Sequence, residues 1–338
     1  MKPEISAILT TRNRAHFLPR VLQALSEQRM NASRFEIVAI DDGSIDSTPK
    51  ILADWQSQLP LRVLRQNHAG LAAAKNLGVF AARAPIVIFL DDDDEAGPDL
   101  FLAHLATHLA NPDPAIAVLG YTSISSEIAA LPVMHHVTQI GSQLFSYGWM
   151  KPGQVLDYTA FWGGRSSCKR SFLVRHGVFH PAFRFGCEDI ELGWRLARHG
   201  LTVIYEPRAQ SVMFRGLTFD EFCERSHRQG LSQYRFSRLH NVPEVRSYCE
   251  IDTAVAAWDR YKFNYKAHLS WVHKMDRLAN AWQTGHIPQN PILQKTLDDA
   301  YHLAFFLSRA KGIVDAAVED GDRRETVSST DLTVLHHQ

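Results

Sequence analysis

Closely spaced cysteines are missing from this sequence, although it contains four cysteines. They stand far apart, at Cys168, Cys187, Cys223 and Cys249. Zinc sites and dithiol redox centres need two thiols within reach of one another, as in a C-x-x-C pair, so neither is predicted. We expect reduced thiols, as in proteins of the cytosol.

An excess of charge of either sign is also absent. Lysine plus arginine and aspartate plus glutamate each number 36, so the formal net charge is zero. A chain without a net field is not expected to recruit nucleic acid through bulk electrostatics. The apolar share of 45% and the charged share of 21% are those of an ordinary globular protein.

Long uncharged apolar runs are the third absence. The longest candidate, AYHLAFFLSRAKGIVDAAV, contains His302, Arg309, Lys311 and Asp315, whereas a membrane-spanning helix needs about 20 consecutive apolar residues. An apolar strand pattern starts within a few residues of the N-terminus, which leaves no room for a signal peptide. The predicted location is the cytoplasm, and peripheral attachment to the inner face of a membrane stays open.

An alternation of short apolar runs with longer helical patterns dominates the first third of the chain. The apolar runs are ISAIL, FEIVAI, LRVL, IVIFL and AIAVLGY. Four or five such βα units predict an α/β fold whose mostly parallel sheet is covered by helices on both faces. Ligands of such sheets bind beyond the carboxyl ends of the strands, so the polar residues that follow each strand are the first candidates for function.

Polar side chains with complementary chemistry follow the first three predicted strands. Thr10, Asp42 and Asn67 offer hydrogen-bonding groups suited to a base or a ribose, and Arg12 and Lys75 carry charges that could neutralise phosphate. Asp42 could instead only build a turn, and Lys75 could be an ordinary surface lysine. These alternatives stay open at this point.

Four consecutive aspartates follow the fourth apolar run, in IVIFLDDDD. Adjacent carboxylates repel one another, and a divalent cation is a simple compensation. Asp91 and Asp93 form a D-x-D pair of oxygen ligands, which suits Mg²⁺ or Mn²⁺ bridging substrate phosphates. An acidic turn that caps a helix starting at Pro98 would explain Asp99, but it would leave the four aspartates unexplained.

Four segments in register resemble the signature segments of the family 2 glycosyltransferases. They are AILTTRNRAHFLPRVLQALSEQ, FEIVAIDDGSIDST, NHAGLAAAKNLGVFAARAPIVIFLDDDDEAGPDL and FRFGCEDIELGWRLARHG, within about residues 4–215. The resemblance implies a GT-A (Rossmann-like) fold, a nucleotide-sugar donor that we expect to be a UDP-sugar, a divalent cation, and inversion at the anomeric carbon. The acceptor class, whether glycan, lipid-linked, protein or small molecule, is not defined by it.

The resemblance also assigns roles to individual residues. Thr10 and Asp42 match positions that contact the base or ribose, and Lys75 stands near the diphosphate. Asp91 and Asp93 match the metal pair, with Asp93 as the direct ligand. The resemblance places Asp92 where it would support the donor. It makes Glu188 and Asp189 the catalytic acid pair, with Asp189 as the base. Three more residues are expected beside the donor sugar or the acceptor: Trp162, Gly163 and Gly164.

Independent chemistry supports the base, because an acceptor hydroxyl must lose a proton while the diphosphate departs. A carboxylate at a helix start is favoured in its ionised form by the helix dipole. The simpler alternatives are that Glu188 and Asp189 only cap a helix and that Trp162 is a core residue beside a turn.

The sequence departs from the family pattern at two places. Many members carry a late histidine that completes the metal shell, but no histidine occurs between His199 and His227. Arg165 stands where an asparagine is common. We expect the cation to be held by Asp93, diphosphate and water, or more weakly than usual.

The expected domain organisation has three parts. Residues 1–217 form the transferase domain, with a nucleotide-binding half at 1–121 and an acceptor half at 122–217 that includes a long excursion at 122–158. Residues 218–320 form a helical C-terminal region, and 321–338 form a flexible tail.

Two other functions stay open, and one is excluded. A dinucleotide-dependent oxidoreductase is excluded because TTRNRAHF contains no glycine after the first strand. A sugar nucleotidyltransferase shares fold and metal use but normally has a glycine-rich basic loop there. A degenerate transferase that only binds nucleotide or partners is the remaining alternative.

Overall fold

The computed structural model describes residues 2–284 and 291–334. Its strands are β1 (Ile5–Thr11), β2 (Phe35–Asp41), β3 (Leu61–Arg65), β4 (Ile86–Leu90), β5 (Asp94–Ala96), β6 (Ile116–Ile124), β7 (Val155–Leu156), β8 (Ser166–Lys169) and β9 (Thr202–Met213). Its α-helices are α1 (Leu18–Ser26), α2 (Thr48–Trp55), α3 (Leu71–Ala81), α4 (Leu100–Ala110), α5 (Ser126–Ala129), α6 (Pro132–His135), α7 (Arg170–His176), α8 (Glu188–Ala197), α9 (Phe219–Leu239), α10 (Pro243–Tyr248), α11 (Ile251–Tyr261), α12 (Tyr265–Thr284) and α13 (Pro291–Val334).

All strands join one sheet in the order β3-β2-β1-β4-β8-β6-β9-β5, and β7 pairs with β9. The strands β3, β2, β1 and β4 are parallel, with Ile5 opposite both Phe35 and Ile86. The strand β8 is antiparallel to both of its neighbours, β4 and β6. The mostly parallel α/β sheet predicted from the sequence is therefore confirmed, with antiparallel strands added in its second half.

Helices cover both faces of this sheet because the central strands are apolar on both sides. In β1, Ile5, Ala7 and Leu9 belong to one buried cluster, together with Leu22 of α1. Ile8 points to the other face and joins a second cluster with residues of α3 and α8. Parallel strands buried on both faces are expected to be continuously apolar, as β4 is. In β1 the polar Ser6 is also buried, and its hydroxyl donates to Glu36 Oε1 at 2.6 Å.

The chain forms two compact units. The first unit comprises residues 1–129 and 144–216, which contain the whole sheet, and the second comprises 130–143 and 217–338. The stretch 122–158, predicted as a long excursion, contains the end of β6, α5, α6, a π-helical turn at His136–Ile140 and β7. The tail predicted at 321–338 lies partly outside the described residues.

Two long helices, α9 and α13, form the core of the second unit. A Cβ at Gly230 of α9 would lie 2.0 Å from the carbonyl oxygen of Arg309, and one at Gly312 of α13 would lie 2.0 Å from that of His227. The two backbones approach closely only because both positions are glycine. Across the described part of the chain, no helix combines the length and the apolar character that crossing a membrane requires.

Candidate functional site

The loops that follow β1 and β2 are bound to one another by short polar side chains. The amide of Asn13 donates to Ser44 Oγ at 2.9 Å, and Asn13 Oδ1 accepts from the amide of Ile45 at 2.9 Å. The amide of Arg14 donates to Thr48 Oγ1 at 2.9 Å. The predicted polar stretches TTRNR and DDGSIDST therefore form one surface at the carboxyl edge of the sheet.

Three of the predicted donor-binding residues line this edge with different exposure. Thr10 is nearly buried in β1, whereas Arg12 and Asn67 are exposed in the loops that follow β1 and β3. Their nearness to a base, ribose or phosphate stays a prediction. Sequence reasoning missed Asn13 and Ser44, although small polar residues just after a strand are typical of such interlocked turns.

The Asp42 carboxylate organises the loop that leads into α3. It accepts hydrogen bonds from Gln66 Nε2 at 2.7 Å, from the amides of Ala69 and Gly70 at 2.8 and 3.0 Å, and it lies 2.8 Å from His68 Nδ1. Burial alone would raise the pKa of Asp42, but these hydrogen bonds outweigh it and lower the pKa. Asp42 is thus an ionised anchor of the β3–α3 loop.

The four residues Asp91–Asp94, which we call the strand-end aspartates, meet three arginines. Arg165 Nη2 lies 3.1 Å from Asp91 Oδ2 and 3.4 Å from Asp94 Oδ2. Its guanidinium also packs 4.7 Å from the Phe145 ring centroid. Arg165 therefore joins the first and last of the four aspartates.

The two middle aspartates have separate partners. Asp92 Oδ1 lies 3.3 Å from Arg14 Nε, in the loop after β1. Asp93 Oδ2 lies 3.5 Å from Arg215 Nη1, just after β9. The family pattern predicts a histidine in the region after β9. In this chain that region supplies Arg215 beside Asp93 instead.

The guanidinium groups do not fully offset the mutual repulsion and burial of these carboxylates. Burial is the main reason that the pKa of Asp92 and that of Asp94 are each raised to about 7. The pKa of Asp93 is raised as well, by burial and then by the charge of Asp91. Additional positive charge at this edge would be favourable.

A divalent cation is compatible with the donor set, although the protein supplies few ligands. Among the described residues, no group of three or more histidine, cysteine, aspartate or glutamate side chains is arranged to hold a metal ion. The carboxylates of Asp91 and Asp93 are hard oxygen donors, and Mg²⁺ commonly binds through one or two carboxylates while substrate phosphates and water fill the shell. Such binding would require Arg165 and Arg215 to release these oxygens.

The start of α4 differs from the prediction that a helix begins at Pro98. The helix predicted to begin at Pro98 begins at Leu100, and Asp99 before it makes no side-chain cap. Asp99 Oδ2 instead accepts a hydrogen bond from Arg29 Nη1 at 2.7 Å. Helix capping therefore does not account for this acidic residue.

Glu188 and Asp189, which we call the helix-start acid pair, open α8 and surround a buried lysine. Lys75 Nζ lies 3.0 Å from Glu188 Oε1, and the lysine side chain is only 3% exposed. Phe179 covers the ammonium, with 5.2 Å from Nζ to the ring centroid. The lysine that sequence reasoning allowed to be a surface residue is thus an interior counter-ion.

Asp189 is held by backbone amides. Its Oδ2 accepts from the amide of Gly163 at 2.8 Å, and its Oδ1 accepts from that of Ile190 at 2.8 Å. Burial and the charge of Glu188 raise the pKa of Asp189 to about 6, while Lys75 and the two amides oppose this rise. The carboxylate is therefore ionised above about pH 6 and is matched to proton abstraction near neutrality.

Gly163 and Gly164 lie against the two acidic groups. A Cβ at Gly163 would lie 2.5 Å from Lys75 Nζ and 3.1 Å from Asp189 Cβ. A Cβ at Gly164 would lie 1.9 Å from Asp91 Oδ2. Consecutive glycines are therefore what allows one backbone segment to touch acidic residues nearly a hundred positions apart in the sequence.

Trp162, beside these glycines, is half-buried. Its indole Nε1 donates to the carbonyl oxygen of Thr159 at 2.8 Å, and its ring meets Tyr147 edge-on at 5.2 Å between centroids. It packs against the buried cluster that contains α8 residues. A contact between Trp162 and a sugar stays a prediction.

The structure thus brings most of the predicted site residues to the carboxyl edge of one unit. The acid pair, Lys75 and Gly163 form one connected group, and Asp91 joins it through Gly164. Arg14 and Arg215 were missed, because nothing local in the sequence indicates which distant arginine meets which aspartate.

Comparison with known proteins identifies the family. The model of glycosyl transferase family 2 matches residues 6–180. Over 277 residues the chain is 31% identical to the validoxylamine A glucosyltransferase of Streptomyces hygroscopicus subsp. jinggangensis, covering 72% of this chain and 63% of that protein. The chain therefore spans less than two thirds of the length of this relative.

Solved structures agree with the fold. The mannosyltransferase PcManGT from Pyrobaculum calidifontis, in complex with GDP-Man and Mn²⁺, matches with a TM-score of 0.56 at 18% identity, over 94% of this chain and 87% of that one. S. aureus TarS 1–349 in complex with UDP matches with a TM-score of 0.52 at 14% identity, over 92% and 90%. These likenesses support a GT-A fold with a helical C-terminal region.

Proposed function

This chain belongs to glycosyl transferase family 2, and from that premise we propose that it moves a sugar from a nucleoside-diphosphate sugar, with a UDP-sugar as the first expectation, to an acceptor hydroxyl with inversion. We propose that a divalent cation, Mg²⁺ or Mn²⁺, assists the transfer. The family membership and the acid groups at one sheet edge support this reading over a nucleotidyltransferase.

The observation that carries the proposal is the contact of one glycine pair with both acidic groups. Gly163 donates its amide to Asp189 at 2.8 Å, and Gly164 lies against Asp91 with no room for a side chain. A transferase needs a base for the acceptor and a charged site for the diphosphate within the length of one sugar. Two acidic groups joined by adjacent residues meet that requirement.

Asp189 is the proposed base. The acceptor hydroxyl gives its proton to the Asp189 carboxylate while its oxygen bonds to the anomeric carbon and the bond from that carbon to the diphosphate oxygen breaks. The nucleoside diphosphate leaves with the electron pair of that bond. The two backbone amides hold the carboxylate in one orientation throughout.

Asp91 and Asp93 are the residues that would hold the cation, and Asp93 would be its direct ligand. The cation, when bound, supplies positive charge to the departing diphosphate. Arg165 and Arg215, released from their aspartates, would lie beside the same phosphates and offer bidentate donors. Thr10, Arg12, Asp42, Asn67 and Asp92 stay the proposed groups around the nucleotide.

Lys75 has a different proposed role from the one its position in the family pattern implies. Its ammonium already contacts Glu188 and is buried beneath Gly163 and Phe179. A lysine so enclosed is poorly placed to reach a phosphate. We assign it to positioning the acid pair and to keeping Asp189 ionised.

A thermal-shift series with UDP-glucose, UDP-N-acetylglucosamine and GDP-mannose tests the proposal, because a bound donor stabilises the folded chain by mass action. The name of the validoxylamine A relative supports trying glucosyl donors first. We expect one donor to raise the melting temperature, more so with Mn²⁺. Asp93→Ala should remove the Mn²⁺-dependent part, and Asp54→Ala, an exposed acid on α2, is the control.

Release of nucleoside diphosphate with a panel of hydroxyl acceptors then tests turnover. Stabilisation without release by any acceptor would favour the degenerate binding module. If no nucleotide sugar stabilises the chain, the transferase proposal is wrong.

A further inference from the structure

We propose that the turn between α11 and α12, together with the outer face of α12, binds an anionic phospholipid surface. This face, which we call the α12 face, consists of Phe263 and the exposed residues Lys266, Ser270, Trp271, Lys274, Arg277 and Leu278. The inference concerns the second unit and does not depend on the proposed chemistry.

Composition singles out this part of the chain. Residues 260–275 contain four basic and four aromatic residues and no aspartate or glutamate. Arg260 and Lys262 lie outside the α12 face, and Lys262 pairs with Asp259 at 2.9 Å, so Lys266, Lys274 and Arg277 carry the positive charge of this face. Basic residues interleaved with aromatic ones are typical of segments that lie on anionic membranes.

One side of α12 is fixed to the second unit. Tyr265 Oη lies 3.0 Å from Ser308 Oγ, and His268 Nε2 lies 3.2 Å from the carbonyl oxygen of Ala300. Val272 is fully buried, and Asp276 Oδ1 accepts a hydrogen bond from the Tyr301 hydroxyl. The spacing of these residues defines a single inward stripe of the helix.

The opposite side carries the basic residues and a tryptophan. Lys266, Lys274 and Arg277 recur at intervals of eight and three, which places them on one side of a helix with 3.6 residues per turn. Trp271 is 44% exposed and lies at the border of this outward half, nearer to Lys274 than to Lys266. Helical geometry thus concentrates the local charge on the outward face.

The turn before the helix adds an apolar tip. Phe263 is 88% exposed, between the end of α11 at Tyr261 and the start of α12 at Tyr265. Lys262 Nζ lies 5.7 Å from the centroid of this ring, but most of the ring stays in water, where an apolar group is unfavourable. Insertion of this ring at the boundary of head groups and acyl chains would remove that cost, with Trp271 at the interface and the lysines over lipid phosphates.

A lipid surface fits this face better than a nucleic acid or a protein does. Nucleic-acid binding would use the charges but would not require an apolar tip at a turn. A second copy of this chain would have to bury two lysines and an arginine against an acidic partner surface. The combination of an exposed phenylalanine ring, an exposed tryptophan and three exposed basic side chains points to anionic lipid.

Cosedimentation of the full chain with vesicles tests the proposal. We expect binding to phosphatidylcholine vesicles that contain phosphatidylglycerol, weakening as salt is added, and little binding to phosphatidylcholine alone. Phe263→Ser with Trp271→Ser should weaken binding by roughly tenfold or more. Lys266→Gln with Lys274→Gln should weaken it by about fivefold per charge.

Matched control variants distinguish binding by the α12 face from non-specific binding through any exposed ring or positive charge. Phe80→Ser removes an exposed ring in the first unit, and Lys50→Gln with Lys295→Gln removes two exposed charges elsewhere. These variants should bind vesicles as the parent chain does. Unchanged melting temperatures would show that all variants fold.

Four results would overturn the proposal. The first is equal or absent binding to neutral and anionic vesicles, and the second is unchanged binding by the Phe263 and Trp271 double variant. The third is a parent chain that self-associates and does not bind vesicles, with self-association abolished in this double variant. That result would make the α12 face a contact between copies of the chain. Binding to heparin that the aromatic substitutions leave intact, without vesicle binding, would also reject it.

Discussion

The strand-end aspartates and the helix-start acid pair both hold neighbouring carboxylates that repel one another, and the two groups are neutralised in different ways. Asp91–Asp94 are opposed by guanidinium groups on long, partly exposed side chains, at 3.1 to 3.5 Å. Glu188 and Asp189 are opposed by one buried ammonium, with 3.0 Å from Lys75 to Glu188. The arginine side chains are 13 to 28% exposed, whereas the Lys75 side chain is 3% exposed and belongs to the interior.

Under the proposed function, this difference assigns donor binding to the first group and proton transfer to the second. A site that must admit and release a charged ligand benefits from partners that can move, because each exchange replaces one ion contact by another. A base that must keep one orientation benefits from a fixed partner and backbone donors. Substitutions in the two groups should therefore change different kinetic quantities.

The largest expected effect is that of Asp189→Asn. It removes the proposed base while retaining shape, so transfer should fall by about 10² to 10⁴-fold with donor binding unchanged. Initial rates of diphosphate release and thermal shifts with donor measure the two quantities. Loss of donor binding alongside activity would place Asp189 in the binding group instead.

Asp93→Ala should have the second-largest effect and the opposite profile. Removing the proposed direct ligand should weaken cation-dependent donor binding by on the order of 10²-fold, while the melting temperature without donor changes little. Titration with Mn²⁺ at fixed donor concentration measures the loss. An unchanged Mn²⁺ dependence would contradict the ligand role.

Replacing Gly163 or Gly164 singly by alanine should show different kinetic effects for the two acidic groups. Gly164→Ala pushes on the Asp91 carboxylate and should mainly raise the KM for donor, whereas Gly163→Ala pushes on Lys75 and Asp189 and should mainly lower kcat. Each effect is expected to be about tenfold. Gly148→Ala is the matched control, because a Cβ there meets nothing within 4 Å. Identical profiles for the two variants would contradict the division.

Lys75→Met tests the buried counter-ion. Without the ammonium the pKa of Asp189 should rise above about 6, so the acidic limb of the rate profile should move to higher pH, with the KM for donor nearly unchanged. The variant also leaves Glu188 buried without its partner and should lose about 3 to 5 kcal/mol of stability. A raised donor KM with an unmoved limb would indicate a phosphate contact instead.

The last prediction concerns the pH dependence of stability rather than catalysis, because the same unit contains buried neutral histidines. His104 and His108 flank Ser167 Oγ at 2.7 and 2.9 Å, and burial lowers the pKa of each to about 3. The unfolded chain takes up these protons below about pH 6.5. Their contribution to stability is therefore complete above pH 6.5 and falls toward pH 3, by about 1.4 kcal/mol per pH unit for each histidine.

Urea unfolding at pH 7.5 and pH 5.5 measures this slope. The double variant His104→Asn with His108→Gln should lose less stability between these values than the parent chain. His16→Gln, at an exposed position, should retain the parent slope. Equal slopes for all three chains would contradict the buried neutral state.

The strands β1 to β4 and β6, the helices of the βα units and the positions of the acidic motifs were predictable from local pattern, whereas the short strands β5, β7 and β8 were not. Continuous apolar runs indicated β1 and β4, and polar residues directly after them marked the functional edge. The resemblance of four segments then identified the family, which the family model confirms for residues 6–180.

The pairings of charges were not predictable, because they depend on contacts between distant segments. Arg215 follows β9 and meets Asp93 only because β5 pairs with β9. Lys75 lies on an alanine-rich helix whose sequence does not reveal that α8 will cover it. Local pattern indicates which residues reach the edge, whereas long-range register decides which of them touch.

The glycine pair has a practical consequence for protein engineering. Because Gly163 and Gly164 abut both acidic groups, a library aimed at new donors or acceptors should leave these two codons unchanged. Trp162 and Arg165 flank them and carry side chains of very different chemistry, one packed on Tyr147 and the other spanning two aspartates. Substitutions at Trp162 would change the packing against Tyr147, whereas substitutions at Arg165 would change the charge that faces Asp91 and Asp94.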